Sequence, residues 1–90
     1  MTKDLVLVTG ASSGIGKEIS KKLCSEGHEV IISSRSKKKL DILNEELKKL
    51  GYGSYVIPCD VRNEKEVEKL YKESTKIGFV KCVINNAGLG

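Results

Sequence analysis

Three glycines, Gly10, Gly14 and Gly16, follow the apolar run Leu5 to Thr9 and open a segment with helical period. Glycine lets a ligand approach the main chain, and a helix N-terminus offers unpaired N–H groups and a partial positive charge. A pyrophosphate suits such a turn. Two common phosphate motifs do not fit. A nucleotide-hydrolysing P-loop reads G-x-x-x-x-G-K followed by Ser or Thr, whereas Gly10 to Gly16 is one residue too long and Glu18 follows Lys17, which argues against ATP hydrolysis. The widespread G-x-G-x-x-G spacing is also absent, because these glycines fall as G-x-x-x-G-x-G. Cys24, Cys59 and Cys82 are odd in number and irregularly spaced, which suits reduced thiols better than a disulfide framework or zinc site. The lone His28 follows Gly27 at an expected helix end, where a structural role is the simpler assignment.

The turn needs a strand before it and a helix after it. Four short apolar runs predict strands at Leu5 to Thr9, Val30 to Ser33, Tyr55 to Pro58 and Cys82 to Asn85. Apolar residues at successive positions indicate strands covered on both faces, as in a parallel sheet. Between them lie three helical patterns. The first runs from about Ser13 to Glu26, with Ile15, Ile19 and Leu23 forming its stripe and Gly27 its stop. The second carries Leu40, Leu43, Leu47 and Leu50 before Gly51. The third opens at Asn63 with Glu66 three residues on and continues through Val67, Leu70 and Ile77. Right-handed crossovers then place the strands in the order 3-2-1-4, with two helices on one face and the third on the other. A crevice opens at the carboxyl ends of strands one and four.

With its flanking residues, Thr9 to Gly16 resembles the T-G-x-x-x-G-x-G cofactor motif of the short-chain dehydrogenase/reductase family. Asp60 and Val61, and the run Asn85, Asn86, Ala87, Gly88, resemble two further motifs of that family, each at the end of an expected strand. The resemblance spans the whole chain and implies an α/β, Rossmann-like, doubly wound parallel sheet forming one NAD(P)-binding domain over residues 1–90. It also implies that Gly10, Gly14, Ile15 and Gly16 line a pyrophosphate, with Ser12 and Ser13 of the same turn among the cofactor-binding residues. Asp60 and Val61 would hold the adenine, and Asn86, Ala87 and Gly88 would border the ribose near the nicotinamide.

Cofactor choice turns on the end of the second strand. An NAD site places Asp or Glu there for the ribose 2′-hydroxyl, but this chain has Ser33, Ser34, Arg35 and Ser36. Arg35 would attract a 2′-phosphate that a carboxylate would repel, so NADP is expected over NAD. Lys37, Lys38 and Lys39 oppose the dipole of the second helix; their field could add to that of Arg35, although a solvated surface triplet explains them as well. Ser13 stands where some NADP-selective relatives carry a basic residue.

In this family a tyrosine, a lysine four residues later and a serine support hydride transfer. Four positions after Tyr52, Tyr55 and Tyr71 come Val56, Cys59 and Thr75, so no Tyr-x-x-x-Lys pair occurs and no catalytic residue is assigned. The chain is therefore expected to be the N-terminal cofactor-binding part of an NADP-dependent oxidoreductase, inactive by itself. Its fourth strand would be an open edge prone to self-association or to pairing with a partner chain. The competing expectation is a non-catalytic nucleotide-binding module.

Composition narrows the field further. Ninety residues exclude two independent domains, and 39% apolar with 31% charged residues is too apolar for disorder. The net charge of +4 comes from interspersed Lys and Glu, and only three Tyr and one Phe are available for stacking, so a nucleic-acid partner is not expected. No run approaches the length of a membrane span or signal segment, which makes cytoplasm the default expectation.

Overall fold

Leu5, Val6, Leu7 and Val8 are apolar at every position, and all four side chains are buried, as a strand covered on both faces demands. The structure, a computed structural model, describes residues 4–86. Along them lie β1 (Asp4–Thr9), α1 (Gly14–Ser25), β2 (Glu29–Ser33), α2 (Lys37–Lys49), β3 (Ser54–Val56), α3 (Glu64–Ile77) and β4 (Phe79–Asn85). The sheet is parallel in the order β3-β2-β1-β4, as expected.

Alternate residues of β1 serve opposite layers. Val6 and Val8 join Val30, Ile32, Leu40, Leu43 and Leu47 beneath α1 and α2. Leu5 and Leu7 join Ile31, Cys59 and Leu70 beneath α3. The third helix therefore lies across the sheet from the other two, and this reversal opens the space at the carboxyl ends of β1 and β4.

Two of the expected apolar stripes are displaced. On α1 the fully inward positions are Gly16, Ser20 and Cys24, while Ile19 and Leu23 flank them and Ile15 is 67% exposed. Small residues win the inner face because they bring the helix axis close to the strands beside the glycine turn. On α2 the stripe stops at Leu47. Leu50 is the C-cap and is 61% exposed, and the chain turns back so that Tyr52 packs on the core in its place. The backbone bonds from Tyr52 N–H to Leu47 O (3.0 Å) and from Gly51 N–H to Lys48 O (2.9 Å) make that reversal a Schellman closure.

Strand limits also shift. β3 ends at Val56, short of the expected Pro58, yet Ile57 N–H still bonds Ile32 O and Cys59 N–H bonds Ser34 O. Pro58 falls between these two inward donors, the place on an edge segment where a missing N–H costs no ladder bond. β4 begins at Phe79, three residues before the expected start at Cys82. Its pairing skips Lys81, since Leu5 faces Val80 while Val6 faces Cys82. The extra residue at Lys81 is the bulge that keeps the rest of β4 in register with β1.

Candidate functional site

The turn after β1 is held by its own atoms. Gly10 has a φ of 63°, which favours glycine, and Ser13 N–H returns to Gly10 O at 3.2 Å. Ser13 is the N-cap of α1: its Oγ accepts from Gly16 N–H at 3.0 Å and donates to Gly10 O at 2.9 Å. Ala11 N–H bonds Ser33 O at 3.0 Å, which ties the turn to the end of β2. Among the described residues the first-turn amides of Gly14 and Ile15 find no acceptor, so two donors face outward from the positive end of the helix.

The glycines differ in purpose. A methyl group at Gly16 would stand 2.2 Å from Gly10 O and 2.8 Å from Ala11 Cα, so Gly16 serves close packing. It is buried and is not among the residues that line the crevice. Gly14 is the opposite case. Its φ is not positive and a methyl group there would meet nothing within 4 Å, so neither backbone nor packing requires glycine.

Asn86 braces the turn from the end of β4. Buried at 7% exposure, it donates from Nδ2 to Gly10 O (3.0 Å) and to Ser13 Oγ (2.9 Å). Asn85 accepts from Thr9 Oγ1 at 2.9 Å. Asn86→Ala is expected to cost about 1 to 2 kcal/mol for the two lost bonds. Calorimetric unfolding should register this as a fall in Tm of roughly 4 to 15 °C. Ala87 and Gly88 lie outside the described residues.

Across the crevice, Asp60 is fixed at several points. Its N–H donates to Glu66 Oε1 at 3.1 Å, and its backbone O accepts from Asn63 N–H at 3.0 Å. Its carboxylate accepts from Arg62 through Nε and Nη2, each at 3.1 Å, and through the backbone N–H at 3.0 Å. These bonds with Arg62, aided by the charges of Arg62 and Arg35, hold the Asp60 carboxyl below its ordinary range. Burial, with Glu66 and Asp60 nearby, pushes the Cys59 thiol up, and burial beside Glu29 pushes Cys24 up to about 11. Both thiols are therefore protonated at neutral pH. No cluster of His, Cys, Asp and Glu among the described residues could hold a metal.

These pieces meet around a crevice of about 1040 Å³. Gly10, Ser12, Ser13, Gly14 and Ile15 form one wall, Arg35 another, and Asp60, Val61 and Asn86 complete it. Ser34, Ser36, Lys39, Cys59 and Arg62 also line it. Apart from Lys39, whose charge marks it, these belong to no motif and reach the site only because β2 and the segment after β3 end side by side. Ser36 Oγ caps α2 by accepting from Lys39 N–H at 3.3 Å, and Lys39 in that first turn lines the crevice, whereas Lys37 pairs with Asp41 at 2.9 Å.

A family model described as short chain dehydrogenase matches residues 4–90. The 3-oxoacyl-[acyl-carrier-protein] reductase FabG of Staphylococcus aureus (strain Mu50 / ATCC 700699) is 40% identical over 91 residues, covering 99% of this chain and 37% of the relative. The 11-beta-hydroxysteroid dehydrogenase-like 2 of Arabidopsis thaliana is 36% identical, with 99% of this chain and 30% of that protein covered. Among solved structures, a variant of actinorhodin polyketide ketoreductase with NADPH superposes with a TM-score of 0.89 at 38% identity, over 96% of this chain and 33% of that one. A metagenomic short-chain oxidoreductase in complex with NADP gives a TM-score of 0.90 at 31% identity, over 97% and 40%. The chain thus spans little more than a third of the staphylococcal relative.

Proposed function

The chain belongs to the short-chain dehydrogenase family of oxidoreductases, and from that premise we propose that its crevice binds NADP(H). The observation that carries this is Gly14: the fold has no use for glycine there, and it stands at the head of α1, where the amides of Gly14 and Ile15 find no acceptor among the described residues. A pyrophosphate would use both. Gly10, Ser12, Ser13 and Ile15 would shape its seat, with Gly16 acting from beneath. Asp60 and Val61 would receive the adenine. Arg35, with Lys39 beside it, would hold the 2′-phosphate, and the segment Asn86, Ala87, Gly88 would lead toward the nicotinamide ribose. The neighbours solved with NADPH and NADP support the same choice.

When bound, the nicotinamide supplies or accepts hydride, exchanged in the whole protein with a carbonyl or alcohol carbon. The residues of this chain bind and orient; none of the 90 forms the Tyr-x-x-x-Lys pair that would move the proton. Among the described residues no helix is long and apolar enough to cross a membrane. Isothermal calorimetry on the chain should show saturable heat with NADPH and weaker heat with NADH. No heat with either would remove the proposal.

A non-catalytic module that completes its sheet with another chain is the second function worth testing, on the strength of β4. Phe79 is 61% and Val83 40% exposed on that outer strand. Sedimentation over rising concentration should reveal self-association; a monomer throughout counts against it.

A further inference from the structure

We propose that the crevice also takes 3′-phosphoadenosine diphosphates, the head-group chemistry of coenzyme A, because the wall beside the ribose reads the charge of a phosphate monoester and not which of two adjacent oxygens carries it. This rests on the coenzyme assignment above and adds a second class of ligand to it. In that assignment the pyrophosphate lies at the head of α1 and the base near Asp60 and Val61. The ribose between them would fall beside Arg35 and Lys39, which line the same crevice. Both residues are exposed, and among the described residues neither side chain makes a hydrogen bond or an ion pair. Two neighbouring cations are already paired, Lys37 with Asp41 at 2.9 Å and Arg62 with Asp60 at 3.1 Å.

Only groups of fixed direction can read the position of a phosphate, and this wall has few. Ser34 Oγ accepts from Ser36 N–H at 3.2 Å and Ser36 Oγ from Lys39 N–H at 3.3 Å, so both hydroxyls are turned to the local backbone. Asp60 is the one carboxylate on the crevice wall among the described residues, and Arg62 holds it by a fork of two bonds. No acid stands at the end of β2 to hold a free ribose hydroxyl, the device by which a dinucleotide site rejects a phosphate there. What remains is two long side chains with a charge each. The 2′ and 3′ oxygens sit on adjacent ring carbons, a displacement that such side chains absorb by a change of rotamer.

The test is calorimetry on the chain with two pairs of ligands: coenzyme A against 3′-dephospho-coenzyme A, and NADP⁺ against NAD⁺. Reductant is present so that the exposed Cys82 does not trap the thiol. Coenzyme A is expected to compete with NADPH and to bind roughly 10-fold tighter than its dephospho form, the reach of one exposed charge-assisted contact. Arg35→Ala and Lys39→Ala, verified as folded by circular dichroism, should each shrink that ratio and the NADP⁺ to NAD⁺ ratio together, and added salt should shrink both as well. Coenzyme A that binds no tighter than its dephospho form, or without competition, overturns the inference, while a preference for NADP⁺ over NAD⁺ leaves the coenzyme assignment standing. Binding of neither dinucleotide to the unaltered chain overturns both.

Discussion

Gly16→Ala should abolish coenzyme binding and destabilise the chain together, whereas Gly14→Ala should weaken binding alone. The reason is where each new methyl group would go. At position 16 it would lie 2.2 Å from Gly10 O and under 3 Å from the Ala11 backbone, atoms that cannot swing aside as a side-chain tip can. The turn must open or α1 must retreat from the sheet, and crowding of this kind costs about 1 to 3 kcal/mol. Retreat would also strain the Gly16 N–H bond to Ser13 Oγ and through it the contact with Asn86. At position 14 the methyl group enters open space at an ordinary φ, so stability should hold or rise by about 0.4 to 1 kcal/mol through the unfolded chain. Only a ligand seated on the amides would meet it, with an affinity loss of roughly 10-fold or more from the same crowding. Thermal unfolding and calorimetry on both variants check the pair. Equal stability losses, or undiminished binding in Gly14→Ala, would contradict the two roles.

Arg35→Asp should invert the choice between coenzymes. Arg35 is exposed at the mouth of the crevice next to Lys39, with Ser34 and Ser36 on either side. Loss of a charge-assisted bond to a phosphate costs about 1.5 to 3 kcal/mol, or roughly 10- to 100-fold in affinity. The introduced carboxylate adds repulsion toward the 2′-phosphate and offers an acceptor to a 2′-hydroxyl, so NADPH should weaken by about 100-fold while NADH holds or improves. Titrations at fixed ionic strength are required, because salt screens such exposed charges. Equal weakening of both coenzymes would show that Arg35 does not discriminate between them.

How much of this could be read from residues alone follows from the range of the forces involved. The strand-turn-helix opening, the parallel 3-2-1-4 order and the split of helices between two faces were all legible. They depend on local patterns: unbroken apolar runs in strands, leucine spacing in α2, and the cap at Asn63 with Glu66 behind it. The glycine turn, Arg35, Asp60, Val61 and Asn86 were visible as motifs, and they do converge on one crevice. Misplaced were Ile15 and Leu50 on their helical stripes, each for a reason that periodicity cannot express. Helical phase was judged by the largest apolar residues, yet on α1 the small ones face the sheet because close approach there matters more than apolar area.

Which elements form and in what order can be read from the residues, since propensity, period and glycine spacing act over a few positions. The contacts each of these residues makes come from the assembled fold. Asn86 reaches back across 76 positions to hold Gly10. Arg62 turns out to be the partner of Asp60, Lys39 lines the crevice while Lys37 pairs with Asp41, and Gly14 is the glycine the fold does not need. Such roles depend on directed contacts of about 3 Å between segments that meet only when the sheet assembles, and no local pattern encodes them.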